Sequence, residues 1–374
     1  MKVLLLHNRY RLRGGEERAV ELQVEAMTRA GIEHRTLFRD SSDAGSARAA
    51  RAMLRGGENE DEVARAVREF GADIVHVHNM NPLFGPRALR AARDAGARVI
   101  LHLHNYRLFC SIATCFRDGE PCFRCRGRLT LPAVALNCRG SLPESAVYAA
   151  ALARHQPAVL DAVDRFVTPS EYARGQLALL GLPAERVSVL PNYVTDFAER
   201  SRADEGTYAV AFGRLSEEKG FDVAIEAARI SGVPLKIAGD GPLAAELSAQ
   251  TAAIEAPVEL VGRLDGPQLA ALLRSASMAV VPSVGGDVMP FAALEAMAAG
   301  LPVIASRSGS LPEVVGPDHC VPRKDPNALA EAMAALQADP DRRRAEGEAN
   351  IARARERFGE SRYVEGLLAL YTPA

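Results

Sequence analysis

The chain has 374 residues, 48% of them apolar and 25% charged. That balance excludes intrinsic disorder, collagen-like repeats and a small disulfide scaffold, and the length suits two to three domains of about 150 residues, each with its own core. With Lys+Arg at 45 against Asp+Glu at 47 the net charge is −2, so no global field draws the chain to nucleic acid or anionic lipid.

Lys2 to His7 reads as a buried strand with no cleavable leader, and no charge-free apolar run reaches the roughly 18 residues that a membrane crossing needs. The expectation is a cytoplasmic protein without a transmembrane segment. Arg9, Arg11 and Arg13 then precede Gly14-Gly15, where a helix to about Ala30 opens. Arginines at a strand-to-helix junction suit an acceptor, an anionic one included; a solvated basic loop explains them equally well. Asp73 to His78 and Arg98 to His104 are further strands, separated by a helix from Pro86 to Ala95. They end in His76-Val77-His78-Asn79 and His102-Leu103-His104-Asn105, and strand alternation puts each histidine pair on one face. A four-histidine metal site is one reading. Core packing is the other for His76 and His102, since only the last residue of a strand clears the sheet. Tyr106 and Arg107 follow directly and extend the acceptor wall.

Five of the six cysteines, Cys110, Cys115, Cys122, Cys125 and Cys138, fall close together, while Cys320 stands alone. In a reducing compartment such a cluster reads as metal-binding or redox before it reads as disulfides. Cys122-Phe123-Arg124-Cys125 is a two-residue knuckle that Cys110 and Cys138 would complete as a tetrahedral set, leaving Cys115 spare. A structural zinc would supply folding energy to this insert, at about 108–140, which has little core of its own. Free thiols and a disulfide or redox role stay open beside it.

A long helix from near Ser145 and strands at Phe166 to Pro169 and Val187 to Leu190 complete a first doubly wound α/β domain, residues 1–192. The polar stretch Pro191 to Glu205 reads as a linker. A second series follows: strands Tyr208 to Phe212, Leu235 to Ala238, Val258 to Val261, Met278 to Pro282 and Val303 to Ser306, with helices between them. These make a domain over 205–355, and the helical tail 356–374 is expected to pack back on the first domain. The fold expected is α/β, two Rossmann-like domains facing a central cleft.

Ligands of such sheets sit beyond the carboxyl ends of the strands, at helix N-termini. Strand Tyr208 to Phe212 runs into Gly213, Arg214 and then Lys219-Gly220, one of only four lysines in the chain, the others being Lys2, Lys236 and Lys324. A planar fork from Arg214 and a point charge from Lys219 suit a diphosphate; a solvated loop with a local Glu218 pair is the bland alternative. Gly239-Asp240-Gly241-Pro242 is a tight turn after a strand. In the run from Pro282 to Pro302, Asp287 lies in a loop and Glu295 one turn inside a helix. Carboxylates there suit sugar hydroxyls, and free loop N–H groups suit phosphate oxygens.

Together these residues resemble the retaining glycosyltransferases of family 4, which have the GT-B fold. The Asp287 to Glu295 span matches that family's two acids with a seven-residue spacer, Gly213 to Gly220 its arginine and lysine pair, Gly239 to Pro242 its glycine turn, and Gly14-Gly15 its N-terminal glycine loop. The resemblance implies a catalytic set of His104, Arg214, Lys219 and Asp287. Arg214 and Lys219 would stabilise the leaving nucleoside diphosphate, Glu295 would hold the ribose, and His104 would contact the donor sugar. Asp287 and the backbone of Met289, Pro290, Phe291 and Ala292 would face that sugar, with Gly15, Gly213, Gly239 and Gly241 lining the donor site. Arg9, Arg11, Arg13, Gly14, Tyr106 and Arg107 are the acceptor-side residues. Partners are a nucleotide-sugar donor, UDP or GDP first, and a small-molecule or glycan acceptor, with no cofactor needed for catalysis. Asp287 is a methylene shorter than the usual glutamate and Pro290 replaces a usual glycine, which leaves the donor open. A nucleotide-sugar epimerase and a non-catalytic nucleotide-sugar binder are the alternatives. A dinucleotide oxidoreductase would need a Gly-x-Gly-x-x-Gly turn that Arg13 to Arg18 lacks.

Overall fold

A computed structural model describes residues 1–10, 14–195 and 200–372; Arg11 and Arg13 lie outside the described residues. The chain divides into two compact units. The first comprises Met1–Cys115, Cys122–Pro191 and Val364–Ala374, and the second Phe116–Pro121 and Asn192–Tyr363.

In the first unit β1 (Lys2–Arg9), β2 (Glu33–Asp40), β3 (Ile74–Val77) and β4 (Arg98–His102) come first in the chain. A short antiparallel pair follows, β5 (Phe116–Arg117) and β6 (Glu120–Pro121), which belongs to the second unit. The first unit then resumes with β7 (Arg165–Thr168) and β8 (Val187–Val189). Its six strands are all parallel, in the order β2-β1-β3-β4-β7-β8. β1 carries Val3, Leu4, Leu5 and Leu6, none more than 2% exposed, as a strand covered on both faces requires. β2 has no such run. It is an edge strand of mixed polarity, with Glu33, Arg35 and Thr36 exposed.

The second unit contains β9 (Ala209–Phe212), β10 (Leu235–Ala238), β11 (Val258–Gly262), β12 (Met278–Val281), β13 (Val303–Ser306) and β14 (Cys320–Val321), parallel and ordered β11-β10-β9-β12-β13-β14. Alternation divides its core between two faces: Val210, Ala279, Val281, Val303 and Ala305 pack on one, Ala209, Ala211, Met278, Val280 and Ile304 on the other. Two doubly wound parallel sheets are thus present, as the alternation of elements implies.

Each sheet reverses its winding once. The switch lies between β1 and β3 in the first unit and between β9 and β12 in the second, and such points leave a crevice beyond the strand ends for a ligand. Residues read from the sequence as a free linker are tied to the second unit on both sides of 196–199, which lie outside the described residues. Val194 N–H donates to Phe358 O (3.0 Å), and Ser201 N–H to Ala299 O (2.7 Å). The last helix, Glu360–Tyr371, is divided between the units at Tyr363. Its end is anchored in the first by buried Leu367 and Tyr371 and by Arg98 Nη1 on Leu370 O at 2.9 Å. Among the described residues no helix is long and apolar enough to cross a membrane.

Candidate functional site

At the switch point of the second unit three strand-to-helix junctions interlock. The loop after β9 begins at Gly213 (φ +142°), whose N–H bonds Ala238 O at 2.9 Å. It is locked to the turn after β10: Leu215 N–H donates to Asp240 O and Leu243 N–H to Leu215 O, each at 3.0 Å. Gly239 (φ +156°) lies so close that a Cβ there would overlap the Gly213 carbonyl. On the other side the Val284 and Gly285 N–H groups both donate to Glu218 O at 2.9 Å, joining the loop to the one after β12. Glycine in the turn is therefore a steric requirement of backbone against backbone.

This interlock brings Lys219 to Asp287, Nζ to Oδ1, at 2.7 Å, with side chains 24% and 16% exposed. Asp287 Oδ2 accepts from Ser283 Oγ at 2.7 Å, and Asp287 O accepts from Ser310 N–H at 3.0 Å. Glu218 does not pair with Lys219; it takes Ser216 Oγ at 2.6 Å. Arg214 is exposed in the same loop. The helix Phe291–Ala299 starts after Pro290; Phe291, Ala292 and Glu295 are half-buried, and Met289 is buried, its O accepting from Asn192 Nδ2 at 3.4 Å. The structure thus clusters Gly213, Lys219, Gly239, Gly241 and Asp287 at one end of the sheet. Ser283 was not singled out from the sequence, where an isolated serine carries no signal.

At the switch point of the first unit Gly14 caps the helix Gly15–Arg29. Glu17 receives Gly14 N–H at 3.0 Å and Tyr10 N–H at 2.9 Å, and its carboxylate lies 3.7 Å from His7 Nε2. Burial alone would raise the Glu17 carboxyl, but the neighbouring His7 ring and the hydrogen bonds from these N–H groups outweigh it and hold it low. Glu16 instead is raised by burial, although its Oε2 accepts from Tyr10 Oη (2.8 Å) and Asn105 Nδ2 (2.9 Å). Arg107 lies over the Tyr10 ring, 5.1 Å from its centre. Tyr106 turns into the core at 2% exposure, whereas Arg9 is exposed over Phe38. Tyr10, Glu16, Glu17 and Asn105 escaped the sequence reading; only the Gly14-x-x-Glu17 spacing of a capping box hinted at one of them.

The histidines form one array. His76 stacks on His78 (centroids 4.8 Å apart) and His102 on His104 (4.1 Å), and His78 Nδ1 meets His104 Nε2 at 2.8 Å. His76, His78 and His102 are buried; His104, past the strand end, is half-buried. Burial lowers all four, His76 and His104 to about 3, so that the imidazoles are neutral near pH 7.

The cysteines of the insert lie near one another: burial pushes the Cys125 thiol up, with further contributions from Cys110, Cys138 and Cys122. Among the described residues the only group of three or more His, Cys, Asp or Glu side chains with ligating atoms mutually within 4.8 Å is His76, His78 and His102. Cys110, Cys122, Cys125 and Cys138 do not form one. Cys110 is hydrogen-bonded to Cys115, the thiol left spare, and Cys122 N–H bonds Cys115 O at 2.7 Å. None of the six cysteines is in a disulfide.

The family model described as Glycosyl transferase 4-like domain matches residues 14–193, and that described as Glycosyl transferases group 1 matches 194–353. WcaL of Escherichia coli K12, assigned as a colanic acid biosynthesis glycosyltransferase, is 33% identical over 198 residues, 48% of this chain and 49% of WcaL. A GDP-mannose-dependent α-(1-6)-phosphatidylinositol dimannoside mannosyltransferase of Mycobacterium tuberculosis is 36% identical over 140 residues, 35% of this chain and 36% of that protein. The chain thus spans about half or less of the length of these relatives. Among solved structures, Anabaena HepE in complex with UDP superposes with a TM-score of 0.67 at 18% identity, covering 99% of both chains.

Proposed function

Because the chain belongs to the family 4-type glycosyltransferases of GT-B fold, we propose that it moves a sugar from a nucleotide-sugar donor to an acceptor hydroxyl with retention at the anomeric carbon. The observation that carries this reading is the Lys219–Asp287 pair at the second unit's switch point, where a strand crevice, a glycine-built turn and a helix start coincide. In the reaction the bond from the anomeric carbon to the diphosphate oxygen breaks, its electrons leaving with the diphosphate. The acceptor oxygen bonds to the same face of that carbon, and its proton passes to the departing oxygen. The cations Lys219 and Arg214, together with helix N–H groups, meet the charge that develops on the diphosphate, so this reading asks no metal for the chemistry. Asp287 holds the Lys219 ammonium in place; Glu295 takes the ribose hydroxyls, and His104, neutral and half-buried, offers a ring nitrogen to the donor sugar. Gly15 lines the donor side of the first unit, and Gly14, Arg9 and Arg107 form the acceptor side.

UDP is the favoured base, supported by the UDP complexes of HepE; a glycan acceptor is supported by the colanic acid role assigned to WcaL. The GDP-mannose-dependent relative makes GDP the competing arm of the test. Thermal denaturation with UDP, GDP, dTDP and their sugars should show a rise in Tm with one base only, lost in Lys219→Ala and Glu295→Ala. Product analysis by NMR should give the anomer of the donor. An inverted product would remove the retaining assignment, and a Tm unmoved by every nucleotide would remove the donor site.

A further inference from the structure

We propose that His76, His78 and His102 form a metal site for one late first-row transition ion, zinc first, inside the first unit beneath His104. One ring nitrogen of each lies within 4.8 Å of the others', and the three side chains are 0%, 3% and 2% exposed. The Nε2 atoms of all three, and Nδ1 of His102, are buried without a hydrogen-bond partner. A neutral imidazole presents one donor and one acceptor, and leaving either buried and unsatisfied destabilises the fold. Several such orphans in one volume call for something that occupies it. A cation that takes lone pairs and needs no proton from its ligands fits three uncharged imidazoles, and imidazole nitrogen suits zinc and its neighbours in the row.

The surroundings resemble the outer shell of a histidine metal site. His76 Nδ1 meets Tyr371 Oη at 2.8 Å, and His78 Nδ1 meets His104 Nε2 at 2.8 Å. A ring whose Nδ1–H is donated outward directs the Nε2 lone pair inward. Gln23 Nε2, an amide donor, lies 3.2 Å from His76 Nδ1 and 3.3 Å from Tyr371 Oη; with the His76 proton on Nδ1 it donates to Tyr371 Oη alone. Negative charge is near: the Glu17 carboxylate lies on His7, whose ring stands edge-on to His78 with centroids 6.2 Å apart. The rings now stack, with His76 and His78 only 8° from parallel. Binding requires rotation about χ2, a broad torsion for histidine, to bring the nitrogens to the roughly 3.3 Å separation set by Zn–N bonds of about 2.0–2.1 Å. An ion on His78 Nε2 also fixes the neighbouring tautomer: His78 donates Nδ1–H to His104 Nε2, so His104 carries its proton on Nδ1.

The test uses the full chain. After purification without added metal, elemental analysis should find one zinc per chain. Cobalt(II) added to chelator-stripped protein should give the visible bands of a tetrahedral nitrogen site without the near-ultraviolet thiolate-to-cobalt band. His102→Gln breaks no hydrogen bond made by that ring in the structure, and should weaken cobalt binding at least tenfold while Cys122→Ser leaves it unchanged. No retained metal together with no cobalt bands, or a thiolate band, overturns the site. The parent chain's spectrum decides this without any variant, and donor binding is not part of the readout.

Discussion

Lys219 and Asp287 sit 24% and 16% exposed, so their ion pair is screened and contributes about 1 kcal/mol or less to stability. If the pair serves the donor diphosphate, Lys219→Met should cost about 10²–10³ in kcat while urea denaturation moves by no more than that small amount. Equal losses in both would make the pair structural. Cys110 offers a second residue-level test. The Cys115 S–H donates to its sulfur and lowers the Cys110 thiol to about 6, while Cys115 is pushed up by the same bond and by burial. A depressed thiol pKa means more thiolate at a given pH. Alkylation of Cys110, followed by mass spectrometry, should therefore reach half its limiting rate near pH 6 and outrun Cys115 at neutral pH. A midpoint at the ordinary thiol value of about 8.5 would sink that geometry. The knuckle spacing drew attention to Cys122 and Cys125, and only the folded chain paired Cys110 with Cys115.

At the scale of elements, the three junctions of the second unit hold one another through backbone, not side chains. Gly239→Ala puts a Cβ into the Gly213 carbonyl at φ +156°, a clash that no rotamer relieves. The expected cost is more than about 2 kcal/mol, read as a lower denaturation midpoint with an unchanged slope. Gly262→Ala is a useful comparison, because its φ of +72° is strained but its Cβ meets nothing within 4 Å, so it should cost less. A result in the reverse order would mean that the loops separate easily. The glycine turn was legible as a pattern, but its partner was not: nothing in Gly239 to Pro242 names Gly213 and Leu215 as the groups it must accommodate.

For the molecule as a whole, two compact units, each with its own buried parallel strands, imply two unfolding transitions in calorimetry. A nucleotide bound at the β9–β12 switch point should raise only the transition of the second unit, since a ligand stabilises the state that binds it. Removing residues 364–372 takes Leu367 and Tyr371, 0% and 2% exposed, from the first unit. The transition of that unit should fall by several degrees while the other holds. A single transition that moves as one under both treatments would contradict this division.

The sequence by itself determined the class of fold, because runs such as Val3 to Leu6 bury both faces of a parallel strand and cannot serve elsewhere. It also marked the strand ends where Lys219, Asp287 and the glycine turn lie, since the residue types that bind anions and turn chains are local properties. It did not mark β2, whose Glu33, Arg35 and Thr36 face solvent and which is a strand only because it pairs with β1 from Lys2↔Glu33 to Arg9↔Asp40. Nor did it decide between core packing and a shared site for four histidines on two strands. That depends on which strands are neighbours, and the β3–β4 register, with the coil beyond His102, sets His76, His78, His102 and His104 against one another. Contacts between residues far apart in the chain, such as Lys219 with Asp287 or His76 with Tyr371, follow from the winding of the sheet, and only the tertiary structure contains that winding.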